Sequence, residues 1–159
     1  MNKTQVLTAY YAQASYFLKA AHLATLHRKE QPEKQSAYWS NFEAVTVGTN
    51  HSFAAEILIK GIMLANHEEH DEGHSLAKLL KSGKSNNLYQ KLKKSFNNDA
   101  EKAESLKQND FDYFLSTHSK MFEHMRYACE STPPGLNMDF TSYLCEYLLD
   151  EYKVRCEIA

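Results

Sequence analysis

The chain has 159 residues, 43% of them hydrophobic, which fits one domain able to bury about 70% of the surface its unfolded form exposes. Five glycines and three prolines are too few for a turn-rich β fold, and no apolar run approaches the roughly 18 residues of a membrane-spanning helix. The N-terminus lacks the apolar core of a signal peptide. Three cysteines, Cys129, Cys145 and Cys156, make no disulfide framework. The last two fall on one expected helix about 16 Å apart, far beyond disulfide reach, so reduced thiols and a cytoplasmic location are expected.

The net charge of −2 is unevenly spread. Between Gly73 and Asn98 there is no Asp or Glu, whereas Lys78, Lys81, Lys84, Lys91, Lys93 and Lys94 all stand there. From Asp139 onward acids outnumber Lys153 and Arg155.

Helical periodicity starts at once. Thr4–Arg28 reads as a first helix, with Leu7, Tyr10, Tyr11, Ala14, Phe17, Leu18 and Ala21 as its stripe. After a polar connector with Pro32, a second helix runs from about Ser36 to Asn66. Val45-Thr46-Val47-Gly48 is a possible interruption, but one long helix is the better reading. Its C-terminal half is apolar on nearly every side, as in a buried helix. Ile57, Leu58 and Ile62 are expected in the core, with Glu56 and Lys60 one turn apart within the apolar run. Ser75 is placed to cap a short helix, Leu76–Lys81, with Gly83 beyond it. A fourth helix lies within Asn86–Phe96, a break at Asn97-Asn98-Asp99, and a short helix within Ala100–Lys107. Phe111, Phe114, Leu115, His118, Met121, Phe122 and Met125 mark a helix ending near Ser131, stopped by Pro133-Pro134-Gly135. Asp139 is the expected cap of a last helix with the stripe Phe140, Tyr143, Leu144, Tyr147 and Leu148. No segment alternates as a strand does. The expected fold is all-α, one bundle of about five to seven helices spanning residues 1–159.

Two blocks carry a family likeness. The order Ala55-Glu56-x-x-x-Lys60, polar connector, Gly73-His74-Ser75-Leu76, Leu79-Leu80 resembles the HEPN superfamily (higher eukaryotes and prokaryotes nucleotide-binding). Phe122-Glu123-His124-Met125-Arg126-Tyr127 with Glu130 resembles the Arg-Tyr-x-x-Glu segment of a bacterial HEPN-like group. The resemblance covers most of the chain through short motifs. It implies an all-α bundle, a homodimer, RNA, a nucleotide or a regulated protein as partner, and a setting in stress or phage defence. The family's ribonucleases place a His four to six residues after an Arg. None of Arg28, Arg126 and Arg155 is so followed, so that catalytic pair does not carry over.

The chemistry-bearing residues each admit two readings. Glu56 and Lys60 form either an ion pair fixing helix register or part of a ligand site. His74, at the foot of a helix, either faces an anion or is hydrogen-bonded into the bundle. Arg126, Tyr127 and Glu130 supply either a phosphate-binding fork or a structural pair. The six lysines form either a phosphate-binding face, with Tyr89 a stacking platform, or a solvated surface. The histidines His67, His70 and His74 lack metalloprotease spacing, and neither metal nor cofactor is expected. The function expected is a non-catalytic module binding RNA, a nucleotide or a protein. A divergent metal-independent ribonuclease and a structural homodimer are the alternatives.

Overall fold

The computed structural model of the chain describes residues 2–30, 37–68, 73–82, 86–99, 101–120 and 137–156, with side chains for all of these except 27–30, 37–43 and 86. Lys84, Cys129, Arg126, Tyr127, Glu130, the Pro133-Pro134-Gly135 stop and the stripe residues Met121, Phe122 and Met125 lie outside the described residues. The described residues form α1 (Lys3–Glu30), α2 (Ala37–Ala65), α3 (Leu76–Lys81), α4 (Asn86–Asn98), α5 (Phe111–His118) and α6 (Met138–Cys156), with no strand among them. None of these helices is long and apolar enough to cross a membrane.

The second helix is continuous through Val45–Gly48. Burial on several sides outweighs the weak helix propensity of these residues. Ala54, Ala55, Leu58, Ile59, Ile62 and Met63 are all essentially buried, because α1 packs along one side of α2 and α6 along another. Ile57 is an exception to the expected core. It is only half-buried, packed against the core from its edge. The Lys3 ammonium donates to the Ala65 carbonyl (2.9 Å), so the start of α1 lies beside the end of α2 and the two run antiparallel. The same cation answers the negative end of the α2 dipole.

Helix α2 ends in a Schellman motif. The Glu68 N–H donates to the Met63 carbonyl (2.9 Å) and the His67 N–H to the Leu64 carbonyl (3.1 Å). His67 takes the left-handed position with φ 58°, where glycine is the usual residue. This is the physical role of the first histidine in the His-rich connector.

Helix α6 runs parallel to α2, since Thr141 meets His51 at one end and Tyr152 meets Gly61 at the other. The Tyr152 ring is fully buried, and its hydroxyl donates to the Leu7 carbonyl of α1 (2.8 Å). Burial raises its pKa. A Cβ on Gly61 would stand 2.3 Å from the Tyr152 ring, closer than atoms can approach. At the other end of the core, Phe96 of α4 contacts Phe111, Phe114, Phe140 and Tyr143 with ring centroids 5.1–5.8 Å apart. Edge-on and tilted arrangements of this kind suit the ring quadrupoles. Much of the aromatic content is thus consumed inside one chain.

Three local expectations need correction. Within Ala100–Lys107 the described structure is a single 3-10 turn, Glu104–Leu106, because only Leu106 there is anchored in the core. Helix α4 continues through Asn97 and Asn98, and the break falls at Asp99. The cap of α6 is Asn137, whose Oδ1 accepts from the Phe140 N–H (3.0 Å). Asp139 instead accepts a short hydrogen bond from Ser105. Ser75 does cap α3, accepting from the Lys78 N–H (3.3 Å).

The Gly61 contact yields a test. Gly61→Ala forces the Tyr152 ring off its seat, and overpacking of this kind costs about 1–3 kcal/mol. Urea melts should show this loss although alanine is the better helix former. A stabilised variant would mean that Tyr152 does not sit where described.

Candidate functional site

Three polar constellations stand out, two of them on residues that the sequence singles out. The first is centred on Glu56, which is buried although α2 is an otherwise apolar helix there. Its carboxylate takes a 2.7 Å hydrogen bond from the Lys60 ammonium one turn on. From the foot of α3, His74 Nδ1 lies 3.1 and 3.0 Å from the two carboxylate oxygens. The anion facing His74 is therefore the chain's own Glu56. A carboxylate this buried requires partners, and two converge on it from separate elements. Of the ligand-site candidates, the structure brings Glu56, Lys60 and His74 together; Arg126, Tyr127 and Glu130 lie outside the described residues.

The second constellation is centred on Asp112 of α5. Its carboxylate accepts from the Tyr89 hydroxyl (2.6 Å) and the Lys93 ammonium (2.5 Å), and Lys81 approaches to 3.1 Å. Partial burial alone would raise the Asp112 carboxyl, but the bonds from Lys93, Tyr89 and Lys81 outweigh it and hold it well below the usual carboxylate range. Both ammonium groups also sit by the Tyr89 ring, 5.2 and 5.8 Å from its centroid. Tyr89 is buried with its hydroxyl engaged, so it is not a stacking platform. Lys91 lies 3.8 Å from Glu151, which also accepts from Arg155 (2.8 Å). Lys78 and Lys94 are exposed.

The third is a cleft of about 420 Å³ between α1, α2 and α6. His51 of α2 forms part of its wall and is only 9% exposed. The Thr141 hydroxyl lies within hydrogen-bond distance of both the Met138 carbonyl (3.0 Å) and His51 Nδ1 (2.7 Å). Burial lowers the His51 pKa to about 4. Beside it the Cys145 thiol donates to the His51 carbonyl (3.4 Å). Burial first, and Glu146 second, push that thiol up, the opposite of an activated nucleophile. His118, the other buried histidine, donates to the Phe114 carbonyl (2.8 Å) and accepts from the Asn137 N–H (2.9 Å), with its pKa lowered by burial. Among the described residues no group of three or more His, Cys, Asp or Glu could hold a metal.

Asp112, Glu151, His51, Thr141 and Cys145 are the residues that sequence reasoning missed. Asp112 and Glu151 lie outside the acid-free stretch, and only folding brings them to the lysines. The cleft residues left a faint signal: Thr141 and Cys145 are spaced by four within the apolar stripe of α6.

The chain matches no protein-family model, no curated protein and no solved structure.

Two predictions follow from this geometry. Glu56→Ala removes the shared acceptor of Lys60 and His74 and should cost about 3 kcal/mol in urea melts. Glu104→Ala, which breaks an exposed pair with Lys107, should cost less than about 1 kcal/mol. Equal costs would mean that Glu56 is solvated. The second concerns pH. His51 has a folded pKa near 4 against an ordinary value of about 6.5. Between these values the unfolded chain binds a proton that the folded chain refuses. Stability from this source is complete above about pH 6.5 and falls as pH drops, by about 2–3 kcal/mol at pH 4.5. His51→Gln should remove that part of the acid sensitivity, and an unchanged pH slope would contradict the assignment.

Proposed function

We propose that this chain is a non-catalytic HEPN-like module that binds the phosphate backbone of single-stranded RNA through its α3–α4 end. The observation that carries the reading is a charge imbalance that survives ion pairing. Asp112 is shared between Lys81 and Lys93, and Glu151 between Lys91 and Arg155. With Lys78 and Lys94, these named groups are six cations against two carboxylates. At 100° per residue, Lys91, Lys93 and Lys94 span roughly 160° on the side of α4 opposite Leu88, Leu92 and Phe96. A face with such an excess of cations over carboxylates among the described residues attracts phosphate and releases counterions. The Ala-Glu-x-x-x-Lys, Gly-His and Arg-Tyr-x-x-Glu blocks support the HEPN-like assignment. Absence of the Arg-to-His spacing, together with the structural engagement of His51, His118 and Cys145, supports a binding role over catalysis.

Fluorescence anisotropy with a short labelled oligouridylate tests this. Contacts to about four phosphates give a log–log salt slope near −3. Changing Lys91, Lys93 and Lys94 to Gln should flatten it by about 2 units and weaken all sequences alike. The fold should tolerate the change, since Asp112 keeps Lys81 and Tyr89 and Glu151 keeps Arg155. Parental binding by the triple variant at about 50 mM salt would refute the reading, and cleavage of the RNA would favour the divergent ribonuclease.

A second reading, homodimerisation, has its own support. Tyr16, Leu23 and Leu26 are exposed along α1, within roughly 80° of one another. Apolar and aromatic side chains of this kind are enriched in interface cores. Light scattering at about 100 μM should give twice the chain mass if the dimer dissociates at about 1 μM; a monomer mass would reject it.

A further inference from the structure

We propose that the outer face of α1 is a self-complementary seam that pairs, antiparallel, with the same face of a second copy of this chain. The seam rests on the homodimer reading and gives it an interface. Ala9, Ala12, Tyr16, Lys19, Leu23 and Leu26 are all exposed. Their spacing alternates strictly between three and four residues, the repeat that keeps one stripe facing a partner helix. The opposite side of the same helix, with Leu7, Ala14 and Ala21, is already buried in the bundle. Between Gln5 and Leu26, Lys19 is the only Lys, Arg, Asp or Glu. A helix face turned to water normally carries charged and polar residues, so the outer face of α1 suits burial.

The order of residues along the seam selects a second copy as the occupant. A two-fold axis between Phe17 and Leu18 brings residues equidistant from it face to face. Ala9 then meets the partner's Leu26, Ala12 meets the partner's Leu23, and Tyr16 meets the partner's Lys19. Small side chains thus oppose large ones, as interdigitated packing requires. Each Lys19 ammonium comes over a Tyr16 ring, a favourable cation–π contact. A parallel pair instead sets Lys19 against Lys19 and Ala12 against Ala12, which joins like-charge repulsion to a packing gap. The seam uses none of the lysine-bearing α3–α4 end, so it is independent of the RNA reading.

Light scattering on the full chain at about 100 μM, with circular dichroism to show folding, tests the seam through designed charge pairs. The parent should be a dimer with a Kd of about 1 μM. Ala12→Lys and Leu23→Glu should each give a monomer, a loss of at least about a hundredfold. Ala12→Lys combined with Leu23→Glu should regain the dimer, because the antiparallel register sets each new lysine opposite a new glutamate. Lys19→Glu, a milder change at an exposed position, should weaken the dimer about tenfold, and it decides the matter should the other variants fail to fold. A monomeric parent overturns the homodimer reading and the seam together. A dimeric parent whose single variants stay dimeric, or whose Lys19→Glu variant is unchanged, keeps the dimer on another surface and overturns the seam. A double variant that stays monomeric overturns the antiparallel register.

Discussion

The seat of Tyr152 against Gly61 sets the geometry on which the rest of the bundle depends. A tyrosine buried this deeply requires an acceptor for its hydroxyl, and the Leu7 carbonyl of α1 provides it. The ring reaches that carbonyl by passing over α2 at the position that has no Cβ. One side chain thus fixes α1, α2 and α6 in register. With that register set, Thr141 falls opposite His51 at the far end of the same helix pair, and the cleft opens between them.

Several buried polar groups find partners on another element, whereas Ser52 Oγ and Glu68 Oε2 are buried without one among the described residues. Glu56 of α2 meets His74 at the foot of α3; Asp112 of α5 meets Tyr89 and Lys93 of α4; His118 of α5 meets the Asn137 N–H at the start of α6. These contacts rigidify the junctions between helices, and they take out of circulation several residues whose chemistry alone suggests catalysis. Among the described residues the lysines of the α3–α4 end outnumber the carboxylates paired with them, Asp112 and Glu151.

Much of the helix content is legible in periodicity, because a face buried against neighbours repeats every three to four residues. The stripe of α6 and the apolar run of α2 fall on the expected sides. The Glu56–Lys60 pair is legible because it is local, i to i+4. The attachment of His74 to the same carboxylate is long-range, and the sequence only marks both residues as conspicuous. Asn137 and Asp139 are both competent caps two positions apart, and composition does not choose between them; the Asn137 geometry does. The lysine stretch shows the opposite problem. Counting acids within a window misses Asp112, which lies outside it in sequence and at its centre in space. His51 escapes notice for a similar reason, since Thr141, which meets its ring, lies far along the chain.

The most direct test of the proposed phosphate-binding face is the change in backbone amide NMR shifts on titration with a short oligouridylate at low salt. If the α3–α4 end binds phosphate, the largest shifts fall at Lys78, Lys81 and along Gln90–Lys94, and they fade as salt is raised, while His51, Thr141 and Cys145 stay in place. Largest shifts at the cleft residues, or none at all, would contradict the account.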